Sequence, residues 1–401
     1  MVRHARAKMS VQTNQRVTRQ SRLIPRLSVV VPTYNRAELL RLTLQSLVDQ
    51  QMPRDEYEVI VSDDGSSDAT PIVVESFADR LRLRCCYQED LGYRLAEARN
   101  AGARLANAPI LVFLDSGSLS SAQFLRAHLD AHKETLTTPR GTAVLGYMYG
   151  YQPFNPTEGL EDAIATMSIE EVLECFQDDR NFWDRRHDLF STINFDLTRL
   201  RIPWMFHWGG NLSVRAVDFW AVGGFDEAFR SYGTEDTELG YRMFRHGVNL
   251  RIERDAWAIE HPHERNLDVL ATSCKRTMRQ FLEKTREPMV EIVWSVIEGT
   301  ITRTFEEEYD LLLHWQAEVR ESDVSMEIEC VITDLLPATR VCIVGCGGNV
   351  PTSLESAVLV DFDENLLCQA ATPSHQYVHA VGLNLPLEDQ SVVVEAAQAS
   401  G

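Results

Sequence analysis

No stretch of this sequence approaches the ~20 uninterrupted apolar residues that a membrane-spanning helix needs, so no integral membrane segment is expected. The opening residues, MVRHARAKMS, lack the apolar run of a secretory signal, and a cytoplasmic location follows as the expectation. Basic residues are scarce. Thirty-nine Lys and Arg stand against 59 Asp and Glu, a net charge of −20. That balance excludes a general nucleic-acid binder, which needs a basic surface for phosphates. Any anionic ligand must therefore be met by a local group of cations, dipoles or metal. The eight cysteines lack metal-ligand or disulfide-framework spacing. Cys85 and Cys86 are adjacent, Cys342 and Cys346 lie in a glycine-rich turn, and all read as thiols in a reducing compartment.

What is present begins with size. At 401 residues and 44% hydrophobic content, the chain can bury one large core and a smaller one. Residues 1–26 carry Arg3, Arg6, Lys8, Arg16, Arg19, Arg22 and Arg26 in a polar context with little periodicity, and read as a basic, disordered leader. From Leu27 the pattern becomes strand, turn, helix, repeated. Apolar runs at Leu27–Val31, Glu58–Val61, Leu81–Tyr87 and Ile110–Leu114 predict four strands. Leu40, Leu44 and Leu47 recur at helical spacing, with Asn35 placed as the cap. Such alternation predicts an α/β fold with a largely parallel sheet, in which ligands sit at the carboxyl ends of strands. Residues 150–200 read as an insertion or lid, with a helix over Ile169–Phe176. Further on, a strand is expected at Leu212–Val214, a helix over Glu235–His246, a strand at Trp257–Glu260, and mainly helix over 266–320.

The polar clusters fall at those strand ends. Pro32, Thr33, Tyr34, Asn35 and Arg36 follow the first strand, where amides, a ring and a guanidinium suit a nucleotide base and phosphate; a plain strand-to-helix turn is the alternative. Asp63 and Asp64 end the second strand, as acceptors for a nucleoside N–H or hydroxyl or as an ordinary Asp-Gly turn. Arg94 and Arg99 open the third helix, as diphosphate contacts or as surface charges. Asp115 ends the fourth strand, where a carboxylate can hold a divalent cation against phosphates. His261 and His263, two apart on an extended segment, face one side and suit one metal, or form a surface pair. Trp208, Gly209, Gly210 and Asn211 form an aromatic, glycine-rich stretch, with Trp208 either stacking on a sugar or buried. Glu235 and Asp236 follow Gly233, as helix-capping acids or as a general base for a hydroxyl.

Together, LSVVVPTYNR, VSDDGSSD, ARNAGA and a strand ending FLD resemble the family 2 glycosyltransferases in order and spacing. GGNLSVR, GGFDE and EDTELGYR resemble the acceptor side of that family and its galactosyltransferase-like relatives. The resemblance covers residues 27–265. It implies a GT-A (Rossmann-like nucleotide-diphospho-sugar transferase) domain, followed by a helical extension over 266–335. It also implies a UDP-sugar donor, a divalent metal (Mg or Mn), inversion at the anomeric carbon, and a small-molecule or glycan acceptor. Position by position, Thr33, Asp63 and Asp64 would touch the nucleoside, and Asp115 would be the first acid of the metal motif. Asp236 would be the base with Glu235 beside it, and His261 or His263 a late metal or phosphate ligand. Pro32, Tyr34, Arg36, Arg94 and Arg99 complete the expected donor site, and Trp208–Asn211 the acceptor site. The motif's second acid is Gly117 here, which weakens the inherited metal site. The Gln-x-x-Arg-Trp signature of processive members is also absent, so transfer of a single hexose, glucose foremost, is expected. The pattern is similar to glucosyltransferases of aminocyclitol antibiotic pathways. A glycosyltransferase acting on a cell-surface or lipid-linked glycan and a non-catalytic nucleotide-sugar binder are the alternatives.

A second resemblance lies at 336–401. Val341–Gly348 (VCIVGCGG), Val358–Asp363 (VLVDFD) and Leu385–Val392 (LPLEDQSV) resemble the opening of a class I methyltransferase, with Asp361 near a ribose. Too few residues remain for a complete doubly wound domain, so a small α/β remnant is expected.

Overall fold

The computed structural model describes residues 10–12, 24–152, 155–263, 265–319, 323–333, 341–370, 372–387 and 393–396. The chain divides into two compact units, Met1–Cys274 and Lys275–Gly401. The division falls inside one helix rather than at the 265/266 boundary expected from the sequence.

The first unit opens with β1 (Ser10–Gln12), inside the stretch expected to lack regular structure, paired antiparallel with a later strand. The rest of the expected leader, apart from residues 24–26, lies outside the described residues. There follow β2 (Leu27–Thr33), α1 (Ala37–Val48), β3 (Tyr57–Asp63), α2 (Thr70–Ser76), β4 (Leu83–Tyr87), α3 (Leu95–Leu105) and β5 (Ile110–Leu114). Every residue of β2, β3 and β5 is buried, as continuous apolar runs in a sheet covered on both faces should be. On one face Leu40, Leu44 and Leu47 of α1 pack with Val29, Val31, Val59 and Val61, the spacing that lines one helical stripe.

Asn35 does not cap α1. Its backbone is left-handed (φ 50°) and its Oδ1 accepts from the Ser67 amide at 2.8 Å. The α1 amide of Ala37 instead donates to Asp68 at 2.9 Å. The cap thus comes from the loop after β3, which ties the first two strand ends together.

Next come β6 (Ser118–Ser120), α4 (Phe124–Ala131), β7 (Thr142–Tyr149), α5 (Leu160–Thr166), α6 (Ile169–Phe176) and α7 (His187–Thr192). Then follow β8 (Asn211–Arg215), α8 (Ala216–Ala221), α9 (Glu235–Arg245), β9 (Asn249–Glu260) and α10 (Leu267–Thr285). The nine strands run β1-β4-β3-β2-β5-β8-β7-β9-β6. The sheet is mixed, which corrects the largely parallel expectation. The β4-β3-β2-β5 block is parallel, but β8 is antiparallel to both β5 and β7, and β6 to β9. Apolar runs read the same in either direction, so polarity is legible only where a helical crossover intervenes. The segment expected as a lid is anchored: α5 and α6 bury Leu160, Ile164 and Val172 against Leu119 and Ile259. The buried Asp184–Arg186 pair holds it on β7, accepting from the Met148 amide at 2.8 Å and donating to the Gly146 carbonyl at 2.8 Å.

The second unit contains α11 (Pro288–Glu298), α12 (Phe305–Val319), α13 (Ser325–Thr333), β10 (Val341–Val344), β11 (Ala357–Asp361), α14 (Glu364–Gln369), β12 (Gln376–His379) and β13 (Val393–Ala396). Its four strands are all parallel, in the order β12-β11-β10-β13. At their carboxyl ends Asp361 accepts from the amides of Gly347 and Asp363, at 3.0 and 2.9 Å. Glu291 of α11, 1% exposed, accepts from the amides of Val381 at 2.6 Å, Gly382 at 3.2 Å and Asn384 at 2.6 Å. Residues 388–392 of the Leu385–Val392 stretch lie outside the described residues. Among the described residues no helix is long and apolar enough to cross a membrane.

Candidate active site

The site forms where β5 and α9 present acids to one another. Asp115 follows β5, its side chain 41% exposed, and its backbone amide donates to the Gly210 carbonyl at 3.1 Å. Glu235 and Asp236 open α9, behind Thr234, whose φ of 75° is uncommon for a β-branched residue. Two glycines with positive φ, Gly224 and Gly233, flank this turn.

Arg99 of α3 joins the two halves. It is buried, and its two terminal nitrogens donate to Asp115 at 2.8 Å and Glu235 at 2.9 Å. Burial opposes its charge, and Asp115 and Glu235 more than restore it. A Cβ on Gly209 would stand 2.9 Å from an Arg99 nitrogen, so only glycine lets the chain pass there. The Gly209 amide donates to Asp236 Oδ2 at 2.7 Å, and the Thr237 amide to Oδ1 at 2.8 Å, which holds that carboxylate still. The buried His207 ring lies 2.9 Å from the Asp236 carbonyl through Nδ1, which must therefore carry the proton. Burial, with Asp236 beside it, pushes the Glu235 carboxyl up against the pull of Arg99, and Glu235 Oε2 has no partner.

Around these acids stand groups the sequence did not single out. Tyr151 and Tyr232 share a hydroxyl contact at 3.2 Å, and Tyr151 meets Trp208 edge-on with centroids 5.8 Å apart. With Arg186 over Trp208 at 4.8 Å and Arg265 over Tyr151 at 4.8 Å, they make an aromatic wall beside Asp236. Burial pushes Glu260, at the end of β9, up to about 7 against its Arg265 partner. No motif marks any of these residues except Trp208; they meet through folding.

The donor-side residues divide. Thr33 and Asp63 are buried at the ends of β2 and β3; Thr33 Oγ1 has no partner, and Asp63 accepts from the Ser66 amide at 2.8 Å. Pro32 is buried within β2. Tyr34 is exposed and donates to Asp90 at 2.9 Å. Arg36 is exposed, its carbonyl accepts from the Leu40 amide at 2.9 Å, and the charge of its side chain is felt at Glu260 and His263. Asp64, Arg94 and Arg99 depart from their expected roles. Both Asp64 oxygens are used inside the protein, by Gln88 at 2.5 Å and the Arg94 amide at 2.9 Å. The buried Arg94 guanidinium is held by the Glu89 carbonyl and by Glu97. Arg99 faces acids, not a cleft.

Within the expected acceptor stretch, Trp208 faces the site while Asn211 turns inward. Asn211 is 4% exposed, donates to the Ala256 carbonyl at 2.9 Å and lies 2.9 Å from His128. It belongs to a buried network with His128, Ser213 and His132, in which its own side chain is fully engaged. Gly209 and Gly210 pack over Arg99 and Asp115 as backbone.

The metal residues do not gather into a cage: among the described residues no three His, Cys, Asp or Glu side chains are placed to hold an ion. His263 has both ring nitrogens engaged, Nδ1 with the His261 carbonyl at 3.1 Å and Nε2 with Arg265 at 3.1 Å, and burial holds it down to about 4. His261 contacts the Pro262 carbonyl through Nδ1, and its amide donates to Gly117 at 2.8 Å. The amide of Gly117, whose φ is 100°, donates to Thr43 Oγ1 at 2.9 Å. Asp115 Oδ2 and His261 Nε2 are the groups left open. A hard cation needs about six ligands and commonly takes most of them from phosphate and water around one or two carboxylates, so the residues fit that arrangement.

The family model "Glycosyl transferase family 2" matches residues 28–194, and "N-terminal domain of galactosyltransferase" matches 191–264. Validoxylamine A glucosyltransferase of Streptomyces hygroscopicus subsp. jinggangensis is 40% identical over 377 residues, 92% of this chain and 89% of the relative. Chondroitin synthase of Escherichia coli is 32% identical over 248 residues, 60% of this chain and 35% of its own. A mannosyltransferase from Pyrobaculum calidifontis, solved with GDP-Man and Mn2+, superposes with a TM-score of 0.47 at 20% identity, covering 78% of this chain and 80% of that one. The chain is a glycosyltransferase of the GT-A fold and belongs to glycosyl transferase family 2.

Proposed function

We propose that this enzyme moves one hexose, glucose foremost, from a UDP-sugar to a hydroxyl of an aminocyclitol, inverting the anomeric carbon. The sugar and acceptor class follow the validoxylamine A glucosyltransferase to which 92% of the chain is similar. One observation carries the mechanism: Asp115 and the Glu235–Asp236 pair share a single guanidinium.

Asp236, steadied by two backbone amides, takes the proton of the acceptor hydroxyl as its oxygen attacks the anomeric carbon. The bond from that carbon to the diphosphate breaks, and its electron pair leaves with UDP. The aromatic wall of Tyr151 and Trp208 offers a sugar or cyclitol face a stacking surface beside that base. Thr33 and Asp63 lie where a nucleoside would meet the ends of β2 and β3, and Arg36 supplies the uncommitted charge for the diphosphate. Magnesium or manganese, when bound, supplies a Lewis acid for charge on the leaving group, and Asp115 with His261 would hold it. A cytoplasmic location belongs to the same proposal, supported by the absence of a disulfide-like cysteine spacing.

A UDP-release assay tests this, pairing several UDP-sugars with cyclitol and glycan acceptors, with and without the two metals. Turnover of free cyclitols is expected. A requirement for an oligosaccharide primer, with cyclitols inert, would move the acceptor to the glycan class.

A further inference from the structure

Arg99 was expected to meet a diphosphate, yet its surroundings describe a different task. The side chain is 2% exposed, so it does not face the open cleft. Its forked end reaches the donor-side acid and the acceptor-side pair at once, 2.8 Å to Asp115 and 2.9 Å to Glu235. Only a planar guanidinium offers two donors at that fixed separation; an ammonium is a point charge that favours one partner. The fork is itself held: the Phe225 ring lies 5.2 Å below the guanidinium carbon, and Gly209 closes against the nitrogen that serves Glu235. The next residue of α3, Asn100, accepts from the Phe225 amide at 2.9 Å and donates to the Phe225 carbonyl at 2.8 Å. One turn of α3 thus fixes both the loop that underlies the fork and the acids at its tips.

We propose that Arg99 is a positioning residue that sets the spacing and charge between the donor-side carboxylate Asp115 and the base-bearing pair Glu235–Asp236, without touching either substrate. The proposal rests on the proposed transfer reaction and deepens it. Two consequences separate it from a diphosphate contact. Losing the fork lowers kcat and leaves the KM for UDP-sugar in place, since the donor never touches Arg99. Losing the charge also lets the base-bearing pair Glu235–Asp236 hold a proton more tightly, which moves the acidic limb of the pH–rate profile upward.

The test compares wild-type enzyme with Arg99→Met and Arg99→Lys, reading kcat, KM for UDP-sugar and the pH profile of UDP release. For Arg99→Met, kcat falls about 10²-fold, the cost of misplacing reacting groups by roughly an ångström, and the acidic limb rises. For Arg99→Lys, the charge is kept and the fork lost, so kcat falls less and the limb stays near its wild-type place. Should Arg99→Met fail to fold, the lysine variant decides alone: lowered kcat at unchanged donor KM supports the assignment. A raised donor KM with kcat intact makes Arg99 a donor contact and overturns it. So does a methionine variant whose lost activity matches its unfolded fraction while the limb stays put. A wild-type enzyme that turns over no acceptor refutes the transfer reaction itself and this assignment with it; an active wild type matched by its variants refutes this assignment alone.

Discussion

Both units end parallel strands in acidic residues, yet they treat those acids in opposite ways. In the first unit, polar capacity is left over: Thr33 Oγ1, Arg99 Nε and Glu235 Oε2 have no partner, the Asp115 side chain is 41% exposed, and Arg36 is exposed. In the second, Asp361 and Glu291 answer backbone amides of their own unit on both oxygens. A buried polar group without a partner is costly, and a fold keeps several together only where something else will satisfy them. The strand end alone therefore does not make a site; unmet groups gather at one in the first unit, whereas in the second, among the described residues, Asp363 Oδ2 stands alone. The 377-residue match to the validoxylamine A glucosyltransferase is longer than the first unit and so enters the second.

Substitutions should break the two regions differently. The largest effect is expected for Asp236→Asn, which removes the base and should lower kcat by about 10²–10⁴-fold while UDP binding by calorimetry stays unchanged. Asp115→Asn should cost about 10²-fold in UDP release, with a weaker response to added metal and a lowered melting temperature, since buried Arg99 loses one of its two charged partners. Low pH should strike the first unit through its buried network. Burial holds His128 down to about 4 and His132 to about 3, below the ordinary 6.5. The unfolded chain then binds more protons below 6.5, so this contribution is complete above that pH and is lost as pH falls toward 4. The loss is up to about 1.4 kcal/mol per pH unit for each ring, readable in denaturant midpoints. In the second unit Glu291→Gln turns two amide hydrogens toward backbone donors and should cost about 1–3 kcal/mol of stability, with kcat per folded molecule intact. The smallest effect is none: S-adenosylmethionine titrated into the protein should give no heat, because Asp361 is already satisfied.

Much of the catalytic unit was legible because short motifs sat at predictable strand ends. Ile110–Leu114 and Ile169–Phe176 match their expected elements, and Asp115 and Glu235, which the motifs single out, share the Arg99 guanidinium. What escaped was set by distant pairing. Thr142–Tyr149 is a strand bounded by Gly141 and Gly150, but its run lacks the alternation that would mark it. Asn35 has the chemistry of a cap, but Asp68 arrives from another loop and takes the position. Asn211 sits in a glycine-rich motif that points to a ligand, while its amide faces inward because His128 approaches from α4. Arg94 and Arg99 look alike in sequence as helix-opening cations, and only the fold reveals that carboxylates and carbonyls have already claimed both.

Gly117 bears on how this enzyme can change. Its amide is tied to Thr43, its carbonyl to the His261 amide, and its φ of 100° lies where side chains are rarely tolerated. An aspartate placed there would have to rotate the backbone and loosen α1 and the His261 segment together. Tighter hold on a cation is therefore not one substitution away, and selection for it would act more readily on the neighbours of Asp115 than on the vacant motif position.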